Sequence, residues 1–175
     1  MKQKTLQITR TAALLALLIV LQAVTKPAGQ LVTGSCVNAV LAVTALLCGI
    51  WPGVAVALVS PFAAFLLGIG PQLIAVVPAI AAGNLVYAVL LSLIARQSAP
   101  FARQIAAWLL ASFAKFLTLY LLVVRLLCHV LPLKQAQIVM FSTMFSWPQL
   151  VTALIGGALA LALCPILRHA RRSDG

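Results

Sequence analysis

The sequence predicts an all-α, polytopic membrane protein: one bundle of six transmembrane helices over residues 1–175, with both termini in the cytoplasm. Residues 27–95 contain no Asp, Glu, Lys or Arg. A bilayer core is crossed by about 20 apolar residues per helix, so this stretch contains several spans joined by short turns. Hydrophobic residues make up 64% of the chain, and the mean hydropathy of +1.17 agrees with this class.

Glycine, proline and charged residues divide the chain into spans. The first span lies between the basic N-terminus and Lys26, and the second ends at the cluster Gly49–Gly53. The cluster Gly68–Pro71 separates the third and fourth spans, because such clusters interrupt helices. Arg96 and Arg103 separate the fourth and fifth spans. The predicted spans are Ile8–Val24, Val32–Cys48, Gly53–Leu67, Gln72–Ala95, Gln104–Leu126 and Ser146–Leu167.

Local signals refine the third and sixth spans. The third is short and contains Ser60-Pro61, which predicts a bend that neighbouring helices must accommodate. Ser146 is suited to the N-cap of the sixth helix, with Pro148 tolerated in its first turn. Residues 25–31 and 127–145 are too long for plain turns, and the second segment is partly apolar. We expect both to fold over another part of the protein.

Basic residues set the predicted orientation. With the N-terminus inside, eight basic residues fall on the cytoplasmic side and three on the external side, which satisfies the positive-inside rule. The cytoplasmic set is Lys2, Lys4, Arg10, Arg96, Arg103, Arg168, Arg171 and Arg172, and the external set is Lys26, Arg125 and Lys134.

The chain lacks the sequence motifs of several function classes. The chain has no G-x-x-x-x-G-K-[ST], no H-E-x-x-H and no G-x-S-x-G. No Asp or Glu lies in a predicted span, which removes the usual carboxylate relay of pumps. The four cysteines are scattered, without a C-x-x-C pair. We therefore expect no ATPase activity, no catalytic residues, no metal and no cofactor.

Lys115 is the strongest candidate for a functional residue inside a span. It lies near mid-membrane in the fifth span, where an ionisable side chain is costly and is by default a functional candidate. No acidic residue is available there, so its charge must meet carbonyl groups, water, an amide such as Asn84, or an anionic ligand. The alternatives are that Lys115 snorkels to the membrane surface or sits neutral in a crevice, and that Asn84 and Asn38 serve only as interhelical hydrogen-bonding groups.

Polar and aromatic residues near the predicted external side suggest a ligand cavity there. Each of them taken alone is equally an interface residue. The candidate substrate-binding set is Lys26, Gln30, Thr33, Asn84, Tyr87, Lys115, Tyr120, Arg125, His129, Trp147 and Gln149.

The chain resembles the S components, the substrate-binding subunits, of energy-coupling factor (ECF) vitamin ABC transporters. The first span contains Ala12-x-x-x-Ala16, a small-residue spacing that permits close helix approach in lipid. The stretches Gly29–Ser35 and Leu41–Pro52, followed by Pro71 and Gly83-Asn84, are also similar to S components. The S components that the chain resembles most are those for cobalamin.

The resemblance implies a mechanism and a set of partners. The protein would sit in the bacterial plasma membrane and capture a vitamin from outside, in a pocket formed by the first external loop, helices four to six and the loop between helices five and six. It would then topple against a transmembrane coupling subunit docked at Ala12 and Ala16. Two cytoplasmic ABC ATPases would drive release inside.

The substrate stays open at this point. Cobalamin is the first expectation, and pantothenate or folate is the alternative, with Lys115 or Arg125 as the partner of a carboxylate. A small intramembrane lipid-acting enzyme is the alternative from another class, although no nucleophile–base pair is visible in the spans.

Overall fold

The computed structural model describes residues 2–95 and 99–173, and within them the side chains of residues 4–95 and 99–169. This part of the chain is helical and contains no strand. The helices are α1 (Lys2–Thr25), α2 (Gln30–Cys48), α3 (Ile50–Leu66), α4 (Val77–Ile94), α5 (Phe101–Leu119), α6 (Cys128–Val130), α7 (Gln135–Met144) and α8 (Trp147–Ser173). Short 3-10 turns cover Lys26–Ala28 and Ile74–Val76, and a π-helical segment covers Tyr120–Leu127.

The all-α membrane class predicted from the sequence is confirmed. Five helical stretches in the described residues are long and apolar enough to cross a bilayer, and the shorter apolar helix Ile50–Leu66 is α3. The membrane orientation of the termini stays a prediction. Arg96, which contributes to that prediction, lies outside the described residues, and so do the side chains of Lys2, Arg171 and Arg172.

Two predicted helix starts are wrong. α3 begins at Ile50 instead of Gly53, because Gly49, at φ +92°, makes the break alone. Pro52 then lies in the first turn, where a missing N–H costs nothing. α4 begins at Val77 instead of Gln72, because Gly68 and Gly70 both adopt positive φ and extend the loop.

The end of the fifth span also differs from its prediction. α5 continues beyond Leu126 through the π-helical segment into α6, which ends at Val130. The following region, predicted only as a long external segment, contains the additional helix α7. Phe141 and Phe145 from this region are buried against Leu119 and Val123. The expectation that this segment folds over another part of the protein therefore agrees with its packing.

α2 lies at the centre of the bundle. It packs against α1, α3, α4 and α8, and its residues from Val40 to Leu46 are buried. This arrangement leaves one face of α1 uncovered, with Leu17 and Val20 about half exposed, at 47% and 57%. In a membrane such a face meets lipid or another protein.

Candidate functional site

A cavity of about 570 Å³ opens at the end of the bundle where the α1–α2, α3–α4 and α7–α8 connections meet. Its wall is mostly apolar and includes Val37, Ala64, Phe65, Ile80 and Met144. This composition, with a few polar groups among apolar ones, is typical of small-molecule sites. The polar residues in the wall are Gln22, Lys26, Gln30, Thr33, Asn38, Ser60, Gln72, Asn84, Lys115 and Gln149.

Lys115 on α5 is held in the cavity wall by two asparagines from other helices. Its Nζ donates to Asn38 Oδ1 on α2 at 2.5 Å and to Asn84 Oδ1 on α4 at 2.7 Å. The Lys115 side chain is only 3% exposed. Because an ammonium group has three N–H donors and no acceptor, one donor is left for another group.

The lysine also fixes the orientation of both amides. Since Lys115 can only donate, each asparagine must present its oxygen to it and turn its NH₂ group elsewhere. Asn38 Nδ2 donates to Thr152 Oγ1 on α8 at 3.2 Å. Asn84 Nδ2 has no hydrogen-bond partner among the described residues. Lys115 and Asn84 together therefore form a donor-rich group in the wall.

The electrostatics of the cavity follow from the same cluster. Lys115 is the only charged side chain among the described residues that is buried. The aromatic ring of Tyr87 attracts the ammonium group of Lys115, because Lys115 Nζ lies over this ring at 5.5 Å from its centroid. The Tyr87 hydroxyl donates to the Ala153 carbonyl oxygen at 3.1 Å, and the residue does not line the cavity.

The mouth of the cavity is tied by side-chain hydrogen bonds to backbone carbonyls. Gln30 Nε2 and Gln149 Nε2 both donate to the Met144 carbonyl oxygen, at 2.6 Å and 3.1 Å. Lys26 Nζ donates to the Gly68 carbonyl oxygen at 2.8 Å. These bonds connect the α1–α2 turn to the α3–α4 loop and to the end of α7.

The structure brings together six of the eleven candidate binding residues. Those that line the cavity are Lys26, Gln30, Thr33, Asn84, Lys115 and Gln149. Those that do not line it are Tyr87, Tyr120, Arg125, His129 and Trp147.

The register of the α5–α6 region explains why three of these residues lie elsewhere. Leu119 and Val123 point into the bundle, so positions such as 125 lie on another face of the helix. Arg125 and His129 are exposed, and Tyr120 packs beside Phe116 with ring centroids 6.0 Å apart. Trp147, at the start of α8, is 62% exposed.

Sequence reasoning missed part of the wall. Asn38 was expected to bond only between helices, and Gln22 and Ser60 were not singled out as binding residues. The available signal was their isolation as polar residues in apolar spans. The resemblance implied a pocket formed by the first external loop, the fourth to sixth predicted spans and the loop between the last two. The cavity extends beyond these parts, because α1, α2 and α3 also contribute to its wall.

A second, more open groove lies between α1 and α3 at the other end of the bundle. Ala12 lines this groove together with Leu15, Pro52, Ala55 and Val59. Ala12 and Ala16 are both exposed on α1, although Ala16 does not line the groove.

The described residues offer no metal centre. None of them form a group of three or more His, Cys, Asp or Glu side chains that could hold an ion. Cys36, Cys128 and Cys164 are free thiols.

Comparison with known proteins identifies the family. The family model described as "ECF transporter, substrate-specific component" matches residues 6–168. No curated protein and no solved structure matched the chain. Members of this family are substrate-binding membrane subunits, and the ATPase activity belongs to their partners. The chain therefore belongs to the ECF transporter substrate-specific component family and is a transporter subunit, not an enzyme.

Proposed function

We propose that this S component captures a small organic acid of the pantothenate type from outside the bacterial plasma membrane. It then delivers the acid inward with a transmembrane coupling subunit and two ABC ATPases. The observation that carries the proposal is the position of Lys115, held by Asn38 and Asn84 in the wall of the cavity with one N–H donor unused.

The charge of the wall favours a carboxylate. Lys115 Nζ and Asn84 Nδ2 offer only donors, and the described residues contribute no acidic side chain to the wall. A carboxylate oxygen accepts from both groups, and hydrogen bonds to charged groups contribute about 1.5–3 kcal/mol each. A cationic ligand would meet a like charge in this cavity.

The size of the cavity favours the smaller of the expected ligands. A volume of about 570 Å³ lies within the range of sites for drug-sized molecules. Pantothenate is smaller than such molecules and has one carboxylate, which matches the one lysine that is buried among the described residues. Cobalamin, which the sequence favours, has a corrin ring and a nucleotide tail and requires a much wider site. Folate has two carboxylates, whereas the described residues provide only one buried cation, Lys115.

Coupling is proposed to occur through α1. Ala12 and Ala16 are exposed on the uncovered face of α1, and Ala12 lines the groove against α3. Small side chains let the backbones of two helices approach closely in lipid, where packing drives association. This surface is therefore suited to close packing against a transmembrane helix of the coupling subunit.

The ligand assignment is tested on the purified solitary protein. Native mass spectrometry identifies any co-purified ligand, and isothermal titration measures binding of pantothenate, folate and cobalamin. We expect pantothenate to bind one-to-one, and Lys115→Gln to remove this binding while Lys134→Gln, at an exposed lysine outside the cavity, preserves it. Tight binding of cobalamin without any response to pantothenate would show that the proposed ligand is wrong.

A further inference from the structure

Two polar oxygens in the cavity wall have no hydrogen-bond partner in the part of the chain that the structure describes. Ser60 on α3 and Gln22 on α1 both line the cavity. Neither Ser60 Oγ nor Gln22 Oε1 has a partner among the described residues, and Ser60 is only 1% exposed. Buried polar groups in native proteins nearly always have partners, so this pair requires an explanation.

Other buried hydroxyl groups in the bundle form a hydrogen bond within their own helix, and Ser60 does not. Ser35 Oγ donates to the Leu31 carbonyl oxygen at 2.6 Å, and Thr44 Oγ1 donates to the Val40 carbonyl oxygen at 2.7 Å. This bond to the carbonyl four residues earlier is the usual local solution in a helix. Ser60 has no such bond to the corresponding carbonyl of Val56. An unpaired buried polar group destabilises the ligand-free protein, and a ligand that supplies the missing hydrogen bond recovers this cost on binding.

We infer that Ser60 and Gln22 form a second polar subsite, which receives a hydroxyl group of the ligand. Gln22 Oε1 can only accept, so the ligand must donate an O–H or N–H to it. Ser60 Oγ can donate to the oxygen of the same hydroxyl, and this favours a hydroxyl over an amide N–H. The inference rests on the proposed function and makes it more specific: the ligand is a hydroxy acid.

The two subsites belong to different helices. Lys115 and Asn84 lie on α5 and α4, whereas Ser60 and Gln22 lie on α3 and α1. The inference therefore places the carboxylate against α4 and α5 and the hydroxyl group against α1 and α3. An acid without the hydroxyl leaves both oxygens unpaired, and sites built to hydrogen-bond a hydroxyl reject such analogues strongly. The α1–α3 subsite thus determines specificity, and Lys115 supplies charge recognition.

The test compares two acids on the full-length protein. Pantothenate carries two hydroxyl groups, and N-(3,3-dimethylbutanoyl)-β-alanine is the same acid with both replaced by hydrogen. Isothermal titration should show the wild type binding pantothenate at least about tenfold more tightly than this analogue. Ser60→Ala and Gln22→Met should remove most of this preference by weakening pantothenate binding and leaving analogue binding nearly unchanged.

A second measurement needs no ligand. Because Ser60 Oγ is unpaired, Ser60→Ala should raise the unfolding temperature of the ligand-free protein. Ser35→Ala is the matched control, since it removes a buried hydroxyl that is already bonded and lies outside the cavity wall. It should not raise the unfolding temperature and should not change the preference between the two acids.

The outcomes separate this inference from the proposed function. If the wild type binds both acids equally, or Ser60→Ala keeps the preference, the hydroxyl subsite is wrong and the carboxylate proposal stands. The same holds if Ser60→Ala destabilises the ligand-free protein, since its hydroxyl then has a structural role. If neither acid binds the wild type, the proposed function fails and this inference fails with it.

Discussion

Gly156 on α8 lies directly against Asn38 on α2, the residue whose side-chain amide bonds Lys115. A Cβ atom built on Gly156 would be 2.5 Å from Asn38 Cβ and 2.6 Å from the Ser35 carbonyl oxygen. Only a residue without a side chain allows the two helices this approach. Gly156 on α8 therefore determines how α2 packs, and with it the position of Asn38 in the cavity wall.

Gly156→Ala should consequently damage both stability and binding. The added methyl group must push α2 and α8 apart, and overpacking of this kind costs about 1–3 kcal/mol. We expect a lower unfolding temperature and weaker pantothenate binding, because Asn38 moves away from Lys115. Gly53→Ala is the control, since its Cβ would meet its nearest neighbour at 3.5 Å, an ordinary contact. Equal effects of the two substitutions would contradict this explanation.

Two substitutions at Lys115 separate charge from structure. Lys115→Gln keeps a donor for the asparagine oxygens but removes the charge, so the fold should persist while carboxylate affinity falls at least about tenfold. Lys115→Met leaves the oxygens of Asn38 and Asn84 without their donor, and each such loss costs about 1–3 kcal/mol. We expect Lys115→Met to lower the unfolding temperature as well as the affinity. Thermal unfolding and titration calorimetry measure both, and unchanged affinity in Lys115→Gln would exclude Lys115 as a ligand partner.

Bulky residues on α1 should prevent coupling without affecting capture. The double substitution Ala12→Trp, Ala16→Trp blocks close helix approach at the exposed face, so vitamin uptake by the assembled transporter should be lost. Ligand binding by the solitary protein should be unchanged, because neither residue lines the cavity. Leu110→Trp, at an exposed position on α5 instead of α1, is the control and should transport normally. Normal uptake by the double variant would remove the docking proposal.

The orientation predicted from basic residues can be tested by labelling single cysteines. On a background without the four native cysteines, Ala28→Cys and Ala136→Cys should react with an impermeant maleimide added outside. Ala102→Cys, at the other end of the bundle, should react only after the membrane is permeabilised. All three side chains are exposed. Labelling of Ala102→Cys from outside would reverse the orientation and place the cavity mouth in the cytoplasm.

The sequence predicted the membrane class well because hydrophobic length and charge position are local properties. The second span, for example, ends at Cys48 in both the prediction and the structure. The starts of α3 and α4 were less accurate, since several glycines and prolines stood at each break and only tertiary packing decides which of them ends the helix. The π-helical segment had no sequence signal.

The candidate site was predictable only in part for a related reason. Lys115 and Asn84 stood out because polar residues are costly in a span. Arg125 and His129 were grouped with them by depth in the membrane alone, yet they are exposed. Depth follows from the distance along a helix, whereas the direction of a side chain depends on helix rotation. The helix rotation here follows the burial of Leu119 and Val123 in the second core cluster.

Lys115, the single buried lysine among the residues whose side chains are described, also connects occupancy of the site to the membrane potential. If the subunit topples in the membrane, as its resemblance to S components implies, the cavity wall changes its position relative to the bilayer. Moving one elementary charge through the full field changes the free energy by about 2.3 kcal/mol per 100 mV. The empty site carries the charge of Lys115 through that field, whereas a bound carboxylate cancels it. An inside-negative potential would therefore act on the empty subunit and leave the loaded one unaffected, so the step that depends on voltage is the return of the empty site.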